Sequence, residues 1–282
     1  MNIYKPIITF CFLLSATIHV YSQTYGIDAA GEGAGNASVA KTGLSAAIFN
    51  QAALAGTESG GRISYQNRFG LKELSQKSAV ATVNAAGGTF GLVLNYFGYS
   101  LYNETKAGIA YAMKLSPDVS AGIQINYHNL DISEAENRSY AFSGELGIIY
   151  KPIKQLSLGA HISNPGNWQY SNTDTDIIPV LFAAGVTYFV DEKALFSLQI
   201  ERNSLEEGLP VKAGIDFMAV DNFWLRIGAS SKPYYLSIGA GYTFKNFTLD
   251  ISFRRHETLG MISSASLSYL INKSQNTESR KL

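Results

Sequence analysis

Side chains able to do covalent or acid–base chemistry are scarce in this chain. Of its four histidines, His19 lies among the first twenty residues, as does the single cysteine, Cys11, which leaves His128, His161 and His256. No thiol nucleophile or cysteine-based zinc site can be built from these, and no two histidines stand at a metal-sharing spacing. A surface lipase or protease would need a Ser-His or Asp-His set brought to one rim. Asp131 follows His128 by three positions and Glu257 follows His256, and solvated loop positions account for all four. The sequence therefore predicts a protein that is not an enzyme, with no catalytic residue, no metal and no cofactor.

The remaining chemistry is electrostatic. Arg62, Arg68, Lys106, Lys114, Glu145, Glu201, Lys212, Asp216, Arg226, Asp250 and Arg254 sit in segments where apolar residues alternate with polar or small ones. Alternation puts the two sets on opposite faces of a strand. If the apolar face meets lipid, these balanced charges face inward, first as ion pairs filling an interior and second as the lining of a polar conduit. Gly122, Gly147, Gly159, Gly214, Gly228, Gly239 and Gly241 fall on the same inward face. Glycine there removes side chains and lets another segment approach.

The elements that must position these residues read as long strands. Tyr234, Leu236, Ile238, Ala240, Tyr242 and Phe244 interleave with Tyr235, Ser237, Gly239, Gly241 and Thr243, and Val119–Tyr127 and Phe247–Phe253 follow the same code. A soluble sandwich also alternates. Strands near the roughly 9 to 11 residues a membrane strand needs, with aromatic residues at the ends of the apolar face, favour a transmembrane barrel. Fourteen strands are read near 61–69, 78–85, 89–97, 105–114, 119–129, 139–151, 155–163, 178–190, 194–202, 209–219, 223–230, 233–244, 246–254 and 261–271, with twelve or sixteen as alternatives. Connections after even-numbered strands are tight, as at Ala86-Gly87-Gly88 and Lys245-Asn246, whereas most after odd-numbered strands are longer: Gly70–Lys77, Leu130–Arg138, Asn164–Ile177 and Asn203–Gly208. That sorting predicts an all-β, antiparallel transmembrane barrel with both ends in the periplasm.

Composition agrees. The chain has 282 residues with 22 basic and 22 acidic side chains, 16% charged, with 26 Gly, 17 Tyr and 15 Phe. Zero net charge argues against a nucleic-acid surface, and the low charge argues against disorder. Lys5, the apolar run Pro6–Val20 and Tyr21-Ser22 predict a signal peptide over 1–22, cleaved before Gln23. About 15 apolar residues are too few for a retained anchor. Residues 23–60 then form a small-residue plug or hatch, 61–271 the barrel, and 272–282 a polar periplasmic tail. Trp168 and Tyr170, in the longest expected extracellular loop, read as interface aromatics or as a ligand cradle.

Gly31-Glu32-Gly33-Ala34-Gly35 looks like half of a dinucleotide fingerprint, but no strand precedes it and export removes the chain from nucleotide pools. The longer stretch, with Gly33, Gly35, Asn36-Ala37-Ser38-Val39-Ala40 and then Asn50-Gln51-Ala52-Ala53-Leu54-Ala55, resembles the N-terminal hatch of the FadL-like long-chain fatty-acid channels, and more closely their PorV/PorQ-type relatives associated with type IX secretion. Gln51 stands where that pattern has Pro. The resemblance implies fourteen strands, an N-terminal plug and an accessory subunit that docks other outer-membrane proteins of a secretion or assembly machine. The alternative it implies is a channel for hydrophobic or small amphipathic compounds. Expected partners are outer-membrane lipid, other outer-membrane subunits and a hydrophobic small molecule, with no nucleic acid.

Overall fold

The computed structural model of the chain describes residues 26–133, 137–171, 177–256 and 259–271. The expected signal peptide with its cleavage site, residues 23–25 of the expected plug, the polar tail and Glu257 lie outside the described residues.

Fourteen antiparallel strands close into one barrel in which each pairs with its neighbours in sequence and the first meets the last. They are β1 (Gly60–Arg68), β2 (Leu71–Ala85), β3 (Gly88–Gly98), β4 (Tyr102–Lys114), β5 (Val119–Ile132), β6 (Asn137–Ile153) and β7 (Leu156–Ser163), then β8 (Leu181–Phe189), β9 (Ala194–Asn203), β10 (Val211–Val220), β11 (Phe223–Ser231), β12 (Tyr234–Phe244), β13 (Phe247–His256) and β14 (Gly260–Leu270). Closure leaves no sheet edge to be satisfied by solvent. Ahead of β1 come two short helices, α1 (Ala29–Gly33) and α2 (Ala46–Phe49), and a 3₁₀ turn over Gln51–Leu54.

The two faces differ as the alternation requires. Ile63, Ile109, Ile125, Phe142, Ile227, Leu236, Ile238 and Phe244 are among the many large apolar side chains exposed on the outside. Such a continuous apolar exterior is the face of a membrane barrel. Among the described residues, no helix is long and apolar enough to cross a bilayer. Inside, Gln66, Gln76, Gln124, Asn126, Glu145 and Asp250 are almost fully buried.

Two expected connections are largely strand. Gly70–Lys77 reads as a long connection, yet β2 begins at Leu71, and of Leu130–Arg138 only residues 133–136 lie between β5 and β6. Phe69 and Gly70 both take left-handed backbone, φ 60° and 75°, and turn the chain in two residues. The long connections that remain on this side include residues 164–180 and 204–210. At the opposite rim Ala86 and Gly87 make the same kind of two-residue turn, φ 53° and 75°.

Candidate functional site: the filled lumen

Residues 26–59 run around the inner wall. Helix α1 packs on β11–β14, and the 3₁₀ turn packs on β3–β6, nearly opposite in the ring. Between them, Ser38 and Val39 donate their N–H groups to Gln199 Oε1 on β9, at 3.0 and 2.9 Å, and Ser157 Oγ on β7 donates to Ala40 O at 2.9 Å. Small residues on both partners allow this closeness. A Cβ added to Gly122 would collide with Ala52, one on Gly147 with Asn50, one on Gly214 with Ala34, and one on Gly228 with the Ala34–Gly35 backbone. Gly33 lies against Gly239, whereas the missing side chain of Gly241 makes room for Asp250 and Arg226 of the wall itself.

Charge ties the first half of the segment to the wall. Asp28 caps α1 by accepting from Gly31 N at 3.0 Å and is also paired with Arg62. Arg62 reaches Asp250 at 2.9 Å, Arg226 bridges Asp250 and Asp216 at 2.8 and 2.9 Å, and Lys41 returns to Asp216 at 2.6 Å. The ladder thus begins and ends on the segment and passes through β1, β13, β11 and β10. Arg254 meets Glu32 at 3.3 Å and lies over the Tyr235 ring, while Lys212 meets Glu201 at 2.7 Å. Arg68 donates to Gln66 and Gln76 and stacks over Phe97. Lys114 lines the turn-side cavity near Gly56.

Hydrogen bonds from uncharged side chains of the segment tie the second half. Asn50 is fully buried; its Nδ2 donates to Val39 O at 2.7 Å and points at Ile148 O and Ala160 O on β6 and β7, and its Oδ1 accepts from Ala52 N at 3.1 Å. Gln51 Nε2 donates to Glu145 at 2.6 Å and lies 3.3 Å from Gln124 Oε1. Glu145 also accepts from Lys106 at 2.5 Å and Asn126 at 2.9 Å, with His161 at 3.0 Å. Around this polar knot, Ala46, Ala47, Ala52, Ala53 and Leu54 pack on the inward Val80, Val93, Ala110, Ala112 and Ile149.

Among the described residues, no group of acidic, histidine or cysteine side chains is placed to hold a metal. His128 Nε2 lies 2.8 Å from Ser143 Oγ, but both are buried in the wall. On the turn side, the segment and strands border an open cavity of about 1340 Å³ whose lining mixes Phe49, Ala53, Ile149 and Trp224 with Lys41, Asp216 and Arg226. The segment thus fills much of the lumen and leaves this cavity on the turn side.

No family model and no curated protein sequence matches the chain. Solved structures do. A Pseudomonas aeruginosa FadL homologue is 12% identical with a TM-score of 0.65, over 88% of this chain and all of that one. The Pseudomonas putida toluene transporter TodX (11%, TM-score 0.64) and the Ralstonia pickettii toluene transporter TbuX (10%, TM-score 0.64) align over 88% and 87% of this chain and 98% of theirs. The fold is that of the FadL-like barrels.

Within that fold the two loop aromatics part company. Trp168 is half exposed and lies on the outer wall over Gly144, held by Asn164, which accepts from Trp168 N at 2.9 Å and donates to Trp168 O at 3.0 Å. Tyr170 turns edge-on to His128, 6.3 Å between centroids. Sequence reading missed the segment's own charges, Asp28, Glu32 and Lys41. Their signal was isolation, since a charge within a stretch of Gly, Ala and Ser has to find its partner elsewhere. Asn36 sits at φ 57° and donates to Glu32 at 2.7 Å, and Gly35, at φ 69°, donates to Ser237 Oγ at 3.2 Å.

Proposed function

We propose that this protein is a channel for small hydrophobic molecules in the outer membrane of a Gram-negative bacterium, with residues 23–60 as its plug and with the short turns and both termini in the periplasm after loss of residues 1–22. The observation that carries the reading is how the charges pair. Arg62, Asp250, Arg226 and Asp216 compensate one another along the wall, as do Lys106 with Glu145 and Lys212 with Glu201. Most of the wall therefore stays neutralised when the segment moves, and Asn50, Gln51 and Ala52 can leave without stranding a charge. Gly33, Gly35 and Asn36 then serve the more firmly held half. The likeness in fold to two toluene transporters supports a hydrophobic cargo. The accessory-subunit reading, with type IX secretion partners, has no comparable support.

Uptake of a hydrophobic fluorophore into vesicles containing the purified barrel tests the proposal. The full chain should admit it slowly and a chain lacking residues 26–59 several-fold faster. Equal, background-level uptake by both would refute it, and recovery of the barrel from its own membrane in a fixed complex with other barrels would favour the docking reading.

A further inference from the structure

The outer wall carries a furrow that none of the described residues fills. Its volume is about 680 Å³, and almost all of its exposed lining is carbon. Register explains its shape. On the outward face, Tyr269 pairs with Gly61, Gly61 with Ala81, and Ala81 with Leu92. One row further from the turns, Leu267, Ile63, Ala79 and Leu94 line up in the same way. Gly61 and Ala81 thus form a floor between ridges on β14 and β3, which lie about 14 Å apart at three inter-strand spacings.

Gly61 differs from the luminal glycines. Theirs is a close approach to the segment or, at Gly241, to wall side chains, whereas a Cβ on Gly61 would meet only Val80 O, at 3.6 Å. The barrel itself does not require the gap. Its turn-side end lies between two aromatic pairs, Phe247–Tyr269 at 4.8 Å and Phe90–Tyr111 at 4.7 Å. Aromatic belts mark the depth of lipid head groups, so the furrow starts at head-group level and runs into the apolar band.

We propose that this furrow is a binding site for one acyl chain of a membrane phospholipid, held with its head group at the turn-side belt, which the orientation proposed above places in the periplasmic leaflet. The furrow is continuous with the lipid-facing wall, and its one charged lining residue, Arg62, turns its guanidinium inward to Asp28 and Asp250. The chain beyond Ile271 does not suit it, because residues 272–282 include Lys273, Glu278, Arg280 and Lys281. The site is independent of whether the lumen conducts.

The test is phospholipid carried by the full barrel purified in mild detergent, counted by native mass spectrometry. Wild type and the outward control Ala265→Leu should retain about one lipid, and the furrow-filling pair Gly61→Leu/Ala81→Leu at least fivefold less, with heat-modifiable migration showing that each is folded. Equal retention in all three overturns the proposal. So does unchanged lipid with a loss of dimer in the filled variant, which would assign the furrow to a second copy of the chain. Should the double variant not fold, photo-crosslinking of wild type with a phospholipid bearing a diazirine on its acyl chain still decides: label concentrated on β1–β2 supports the site, and label spread evenly round the wall refutes it.

Discussion

Replacing Glu145 by Gln changes one charge and almost no volume at the busiest point of the lumen. The side chain is 1% exposed and receives Lys106, Asn126 and Gln51, with His161 alongside. Glutamine keeps one acceptor oxygen, enough for the donor from Asn126 or from Gln51 but not for both, and turns its amide nitrogen toward the other. What is lost is the one carboxylate paired with Lys106 among the described residues, Lys106 itself being 8% exposed. Breaking a buried pair by removing one partner costs about 3–5 kcal/mol, which is roughly two to almost four decades in the unfolding equilibrium. Removing both charges, as in Lys106→Met/Glu145→Gln, should recover all but about 1 kcal/mol, because the penalty lies in the stranded cation and not in the lost attraction. Reversible urea unfolding of the refolded barrel in lipid vesicles, followed by tryptophan fluorescence, measures both. A single variant within 1 kcal/mol of wild type, or a double variant as unstable as the single, would refute this reasoning.

Other perturbations probe the segment. Gly228→Val puts a branched side chain where the Ala34–Gly35 backbone passes and should displace the first half of the segment, seen as faster protease cleavage near the exposed Thr42. Asn50→Ala removes hydrogen bonds to Val39 O and Ala52 N and leaves buried backbone groups unsatisfied; a cost of about 1–3 kcal/mol should appear as faster amide exchange over residues 46–55. Arg62→Met leaves Asp28 without its cation while Asp250 keeps Arg226. It should destabilise the barrel by about 3–5 kcal/mol in the same urea assay, and Arg62→Lys by less.

Parity and turn chemistry made the barrel legible. Wherever one face meets lipid, a slip of one residue would turn every apolar side chain inward, so the pattern in Tyr234–Phe244 or Phe247–Phe253 admits one reading. The pattern fails where a strand outruns the apolar band. Leu71–Lys77, with Lys72, Glu73, Gln76 and Lys77, reads as loop, yet Leu71 pairs with Arg68, the ladder resumes at Gln76 and Lys77 after a bulge, and a phenylalanine with positive φ makes the turn. The lumen was legible only as a set of faces. That Arg62 and Asp250 point inward follows from alternation; that they meet follows from which strands close the ring and in what register, which no local pattern encodes. Gln51 is the sharper case, since its partner Glu145 is 94 residues away. Apolar inward positions such as Val80, Val93 and Ile149 depart from polar-inside alternation because the segment, not water, covers them.

The pairing of β1 with β14 has a consequence for the order of assembly. Gly60 lies opposite Leu270, and the ionic ladder draws its members from β1, β10, β11, β13 and the segment ahead of β1. Until the last hairpin arrives, Arg62 has neither Asp250 nor a finished cage around Asp28. Contacts this distant in sequence form late and slowly. The ladder is complete only when the segment and the β1–β14 seam are both in place, so closing the ring and seating the first half of the segment stabilise each other.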